Sequence, residues 1–297
     1  MILERHWSDI LVNIVTYLIL TLLAILCILP FWHMIAMSFS GSTAVASQSV
    51  GLWPVGFNLQ NYSFLLQRPL FFQTFGTSVL RVIMAVCLEL LIGVLAAYPL
   101  SRDHIHMPGR TVIKVIILFF LMFNGGLIPA LLAYNSLGLI DNFFVLVLPY
   151  MFNLFNTILI INYFRGIPRE LEESALLDGA SHLDVLWRIF IPLSTPVLAT
   201  CALFTAVSHW NEWFSALVFM RSLAKMPLQS YLYLALLPNQ NTGIVGDLMQ
   251  KSELFRQATP LALRAALIVA AAIPIMLVYP FVQRYFVTGL TLVSIKE

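Results

Sequence analysis

Residues 11–37 read LVNIVTYLILTLLAILCILPFWHMIAM, 27 positions without one Asp, Glu, Lys or Arg. Crossing a hydrocarbon core of about 30 Å takes about 20 apolar helical residues, and a helix satisfies every backbone polar group within its own segment. The run is too long for the core of a cleaved leader, and no small-residue cleavage site precedes Pro30 and Phe31, so it is expected to stay in the membrane. Five more stretches qualify, at 72–100, 112–134, 143–163, 196–220 and 261–281. The whole chain agrees: 60% apolar residues, 10% charged and a mean hydropathy of +0.89 exceed what a soluble core needs. The expected fold is an all-α membrane protein of six transmembrane helices, with a short cytoplasmic helix between the fourth and fifth. Its parts are a first helix and outer cap (1–71), a five-helix core (72–290) that includes a polar loop at 165–193, and a cytoplasmic tail (291–297). Cys27, Cys87 and Cys201 all fall in spans and read as packing residues, not as disulfides or metal ligands.

Orientation follows from Lys and Arg near the span ends. An even helix count puts both termini on one side. Placing them inside assigns Arg5, Arg102, Arg110, Lys114, Arg165, Arg169, Arg188, Arg284 and Lys296 to the cytoplasm, nine against seven elsewhere. Four of those seven, Arg221, Lys225, Lys251 and Arg256, sit on the long outer segment, where the rule weighs less.

The connecting segments differ in character. Residues 101–110 are polar, and Asp103, His104 and His106 lack a further ligand, so a solvated connector is the expectation over a metal site. Residues 41–69, with Trp53, Pro54 and scattered aromatics, read as an irregular outer cap. The outer segment 222–260 carries a turn-rich tip around Pro238, Asn239, Gln240, Asn241, Thr242 and Gly243, and loops of that length usually serve a function.

The segment 165–193 carries the chemistry. Pro168 precedes Arg169-Glu170-Leu171-Glu172-Glu173, and acidic side chains in a first turn suit the positive helix end, so a helix starts there and Gly179 ends it. Helical spacing puts Leu171, Ala175, Leu176 and Ala180 on an apolar side and leaves Glu172, Glu173 and Asp178 in water. A second helical stretch through Leu183, Leu186 and Trp187 leads into Ile191-Pro192. Such a helix lies on lipid headgroups or docks into a groove of a partner. Lipid binding wants Lys and Arg on the polar face, whereas this face is acidic, which favours a protein with basic groups.

Glu173-Ser174-Ala175, three residues, Gly179, nine residues, then Ile189-Phe190-Ile191-Pro192 resembles the cytoplasmic signature loop of permease subunits of bacterial binding-protein-dependent ABC importers. Ser174 stands where that family has Ala, and Ile191 where it has Leu. The stretch 168–181, Trp210-Asn211-Glu212 and Gly289-Leu290-Thr291-Leu292 resemble the carbohydrate-uptake class in its maltose-type second permease. Phe123-Asn124-Gly125-Gly126-Leu127-Ile128-Pro129 resembles permeases for complex oligosaccharides, an alginate importer among them. The resemblance runs from about 72 to 296, is weakest over 41–69, and departs at Val293 and Glu297.

The resemblance implies a carbohydrate importer subunit that works by alternating access in the bacterial inner membrane. Its partners would be a second homologous permease, a homodimeric cytoplasmic ATPase, a periplasmic solute-binding protein and membrane lipid, with no nucleic acid. The chain would bind no cofactor; ATP and Mg would belong to the ATPase, and the chain itself has no Gly-Lys dipeptide for a phosphate loop. The ATPase-coupling residues implied are Glu172, Glu173, Ala175, Asp178, Gly179, Ala180, Ile189 and Pro192, with Glu173 as anchor. The outer tip, at Pro238, Asn239, Gln240 and Asn241, would reach the docked binding protein.

Ionisable groups at bilayer depth usually face a cavity or a partner, which draws attention to Arg81, Glu89 and Glu212. His209, Glu212 and Trp213 share a helix face by spacing. Trp210, Asn211 and Glu212 either hold a sugar ring in the pathway, or the tryptophans are interfacial anchors. Asn124, beside Gly125 and Gly126, marks either a helix break lining the path or a close packing point. A self-contained secondary transporter would usually show two similar halves, and none is visible. A membrane enzyme would need a convergent catalytic set, and no His-Glu-x-x-His or Gly-x-Ser-x-Gly occurs.

Overall fold

The computed structural model describes residues 7–103, 107–123, 125–236 and 261–294, and every regular element among them is helical. These residues divide into two compact units, 7–69 with 261–272 and 70–236 with 273–294.

In the first unit, α1 (Trp7–Ser38) takes up the opening apolar run, and none of its most apolar window is buried by the other described residues. A helix apolar all round suits an apolar surround. The cap at 41–69 is more ordered than its composition suggests, with two short helices, α2 (Ser42–Ala46) and α3 (Gln60–Leu66). It is held to the end of α1 by polar contacts. Trp32 Nε1 donates to the Leu52 carbonyl at 2.8 Å, and His33 Nδ1 lies 2.8 Å from the Gly51 carbonyl. The buried Asn61 amide donates to the carbonyls of Ser38 (3.0 Å) and Ser40 (3.3 Å), which the end of α1 leaves open. Phe39 stacks on Phe57 and meets Tyr62 at a tilt.

In the second unit, α4 (Pro69–Ser101) is unbroken, and eight of its twelve buried positions, Thr74, Ser78, Arg81, Ala85, Glu89, Gly93, Ala97 and Ser101, fall at steps of three and four along a stripe that winds about half a turn round the helix. The expected spans at 112–134, 143–163 and 196–220 are each interrupted. The first divides into α5 (Arg110–Met122) and α6 (Leu127–Ser136) around an extended Phe123 and a Gly126 at positive φ (85°). The second begins as two 3-10 turns (Phe143–Leu146 and Leu148–Tyr150), then bends by 43° into α7 (Leu154–Arg165). After α7 come α8 (Arg169–Leu177), α9 (His182–Val185), a π turn (Leu186–Phe190) and α10 (Ile191–Leu193); an 80° bend then leads to α11 (Thr195–Asn211). Glu212 ends α11 in extended backbone, and α12 (Phe214–Phe219) and α13 (Leu228–Leu236) follow. The last helix is α14 (Leu261–Ser294). Among the described residues three helices are long and apolar enough to cross a membrane, or five when each bent pair counts as one span.

A core of Val94, Ala97, Tyr98, Ile160, Phe164, Ile167, Val185, Leu186, Phe190, Val197 and Cys201 joins α4, α7, the α9–π segment and α11, with Ala175 and Leu176 of α8 packed on it. The cap offers one quantitative test. Asn61→Ala leaves two carbonyls short of their donor, which costs about 1–3 kcal/mol for a buried group; the expected result is a lower thermal midpoint of the detergent-solubilised protein, and an unchanged midpoint would mean that water replaces the amide.

Candidate functional site

α8 is bounded by its own chemistry. Pro168 precedes it and Glu170 and Glu172 occupy its first turn. At its end the Ala180 amide donates to the Ala175 carbonyl (3.0 Å) and the Gly179 amide to the Leu176 carbonyl (3.1 Å), the paired bonds of a Schellman ending. Gly179 sits at φ 86°, with nothing near the place of a Cβ, so glycine is required here by backbone conformation and not by space. Ser181 and Asp184 then form a reciprocal capping box that starts α9. Hydrogen bonds from the Ser181 hydroxyl and amide, with Arg188 nearby, hold the Asp184 carboxyl below the usual carboxylate range.

The face that α8 turns inward differs from the expected one by a residue. Leu171 is exposed, and so is Leu177, at 89%. The inward side is Glu172, Ala175 and Leu176. Glu172, expected in water, is 0% exposed. The reason lies 70 residues back in the chain: its Oε2 is 3.0 Å from Nε of the buried Arg102, and its Oε1 accepts the Tyr98 hydroxyl at 2.9 Å. The Tyr98 oxygen also lies 3.0 Å from Nδ1 of His182 in α9. Arg102 further donates to the Ile167 carbonyl (3.0 Å) and lies over the Phe190 ring at 4.8 Å. Glu173 remains on the exposed side. Ala175, Asp178, Gly179, Ala180 and Ile189 come together with Asp184, Val185 and Arg188 around an open cleft of about 490 Å³, while Pro192 is exposed apart from it. In the neighbouring connector, Asp103 pairs with Arg110 (3.2 Å) and Lys114 (3.8 Å); His104 and His106 lie outside the described residues, and the described ones hold no cluster fit for a metal.

Further polar contacts lie at depth on the α4 stripe. Arg81, 0% exposed, donates through Nε to the Leu146 carbonyl (3.2 Å) and through Nη1 to the Glu212 carbonyl (3.1 Å), and Nη2 meets Glu212 Oε2 at 2.6 Å. The same carboxylate accepts the Ser215 amide (2.7 Å) and the Ser215 hydroxyl, so it caps α12 while it neutralises Arg81. Glu89 Oε1 accepts from the Asn156 amide at 2.6 Å, and Asn156 reaches Thr205 at 3.2 Å, which joins α4, α7 and α11.

Because α11 stops at Asn211, the expected common face of His209, Glu212 and Trp213 does not form: His209 is buried, Glu212 turns to Arg81, and Trp213 stacks on Tyr233 at 4.1 Å. Trp210 is buried edge-on to Phe75, and Asn211 is exposed. Asn124, Pro238, Asn239, Gln240 and Asn241 lie outside the described residues. Outside the spans, Asp141 (φ 60°) accepts the amides of Arg221 and Ser222 and binds Lys225 Nζ at 2.8 Å. Burial raises the Asp141 pKa, but these donors outweigh it and leave the net value low. Sequence reading did not place Arg102, Tyr98 or Asp141 in a site; the one available signal was an arginine directly after an apolar helix.

Long apolar helices, broken spans, buried ion pairs bridging them and a short helix between two of them define a polytopic membrane protein. The chain belongs to the family of binding-protein-dependent transport system inner membrane components, whose sequence pattern matches residues 89–291. It is 40% identical to Protein LplC of Bacillus subtilis over 91% of this chain and 89% of that one. It is 36% identical to the polygalacturonan/rhamnogalacturonan transport system permease protein YtcP of the same organism, over 96% and 98%. A crystal structure of a bacterial ABC transporter involved in the import of the acidic polysaccharide alginate contains a chain with a TM-score of 0.84 and 35% identity, covering 95% of this chain and 99% of that one.

The buried pair at Arg81 carries a prediction. Arg81→Met alone or Glu212→Leu alone strands a charge at depth and costs about 3–5 kcal/mol, whereas the Arg81→Met/Glu212→Leu double variant recovers much of it. Thermal unfolding of the three variants in one detergent checks the order, and a double variant as unstable as the singles would contradict it.

Proposed function

We propose that this permease is one of two membrane subunits of an ATP-driven importer for acidic oligosaccharides, coupled to its ATPase through α8. The observation that carries the reading is the outward side of α8: a helix between two spans that keeps Glu172 inside and presents Glu173 and the large apolar Leu171 and Leu177 to solvent has the surface of a docking element. Glu173 anchors it to basic groups of the ATPase, and Ala175, Asp178, Gly179, Ala180, Ile189 and Pro192 shape the turn behind it. ATP and Mg belong to that ATPase.

Six spans, with the α5–α6 pair counted as one, put both termini and α8 on the cytoplasmic side. Asn124, Trp210, Asn211 and Glu212 are assigned to the pathway region, because a helix that unwinds at bilayer depth is how transporters present polar groups. Residues 238–241 are assigned to contact with the periplasmic binding protein. The acidic substrate class rests on YtcP and the alginate importer, both of which are described by uronate-rich polymers.

Reconstitution in nanodiscs with the second permease and the ATPase tests the reading. Binding proteins loaded with oligouronates are expected to stimulate ATP hydrolysis, and the same proteins offered neutral maltodextrins are not; the reverse preference would overturn the substrate class. Glu173→Lys and Gly179→Val are expected to leave the chain in the membrane and to cut uptake about tenfold or more, the range of coupling energies between linked sites. Full uptake in both variants would remove α8 from the mechanism.

A further inference from the structure

α8 has nine residues, fewer than a helix needs to stand alone in water. Its first end runs from the buried Ile167 through Pro168, and its second leaves through Gly179 in left-handed backbone, a turn with few side-chain contacts to hold it. Its apolar contacts with the core, Ala175 and Leu176, are non-directional. Its polar tie to the core is the Glu172 carboxylate, which accepts the Tyr98 hydroxyl near the end of α4 through one oxygen and forms an ion pair with Arg102, just past that end, through the other. His182 reaches the same Tyr98 hydroxyl from beyond Gly179, so the cluster spans both sides of the turn. An apolar pair would fill this interface as stably, since a buried ion pair is costly to desolvate. The directional Tyr98 hydrogen bond, set beside the ion pair, adds registry.

We propose that Glu172 and Arg102, with Tyr98, are positioning residues that lock α8 to α4, so that displacement of α8 by the ATPase is delivered to α4 directly and not only through the flanking loops. α4 is one continuous helix, and from Ser101, next to Arg102, back to Arg81 it runs about 30 Å. Its other polar contacts, Glu89 with Asn156 and Arg81 with Glu212, sit on the same buried stripe and end at the break between α11 and α12. A shift of α8 thus bears on the unwound segment across the thickness of the bilayer. Glu172 acts on coupling from inside the chain, in contrast to Glu173, which faces out. The proposal rests on α8 being the ATPase contact.

The test uses the complete complex in nanodiscs and reads substrate moved per ATP hydrolysed. Glu172→Gln and Arg102→Gln are expected to lower that ratio about fivefold or more, the low end of measured coupling between sites. Tyr98→Phe, which deletes only the hydroxyl, is expected to lower it by a smaller factor, and the exchanged pair Arg102→Glu/Glu172→Arg to regain part of the loss. A purely structural role would reduce the yield and melting temperature of the complex and leave the ratio alone. An unchanged ratio in assembled Glu172→Gln overturns the proposal. If that variant does not assemble, an unchanged ratio in Tyr98→Phe does so. In either case a wild-type complex that retains its ATPase leaves the docking role of α8 standing; a wild-type chain that binds no ATPase removes both.

Discussion

In hydrocarbon no water replaces a missing hydrogen bond, and an unpaired backbone amide or carbonyl there costs about 2–7 kcal/mol. Helices answer that constraint along their lengths, and at some helix starts a side chain takes over. Asn142 accepts the Phe144 amide at the start of the 3-10 segment, Asn153 accepts the Asn156 amide at the start of α7, and Glu212 accepts the Ser215 amide at the start of α12. The hydroxyls inside the spans obey the same rule: Thr74, Thr77, Thr157 and Thr205 each donate back to a carbonyl of their own helix or its cap. Three of the breaks in these spans are therefore built positions with a side-chain acceptor, whereas the starts of α6 and α11 carry none.

Charge follows the same logic at higher cost. Arg81 and Glu212 neutralise each other, and the carbonyls of Leu146 and Glu212 and the Ser215 hydroxyl accept three further bonds from the guanidinium. Arg102 and Glu172 do so at the far end of α4, where the Phe190 ring closes over the guanidinium. Both pairs join residues far apart in sequence. Each therefore fixes which helix lies against α4 and at what height, a task that packing of Leu and Val alone leaves underdetermined.

How much of this could be read from sequence depends on the range of the interaction involved. Apolar runs are local, so the continuous helices at 7–38 and 69–101 and the helix from 261 were legible, as was the end of α8, because the demand for glycine at 179 arises within one turn. The face of α8 was not legible. Periodicity places the apolar Leu171 inside, and only the distant Arg102 makes burial of Glu172 the better solution. Hydropathy likewise carried the fifth span straight through Glu212, since the local composition stays apolar on both sides and the arginine that stabilises the break stands on another helix. The cap at 41–69 looked irregular because its order comes from side-chain bonds to the end of α1.

The π turn at Leu186–Phe190 stands just before Pro192, whose ring cannot donate an amide and crowds the carbonyl of Arg188 one turn back. A π turn uses one residue more than an α turn for nearly the same advance, so it resets the angular phase of the helix beyond it. In an α-helix one residue is about 100° of rotation. One residue more or fewer in that turn would therefore rotate Ile191–Leu193, and with them the approach to the 80° bend before α11, by more than a quarter turn.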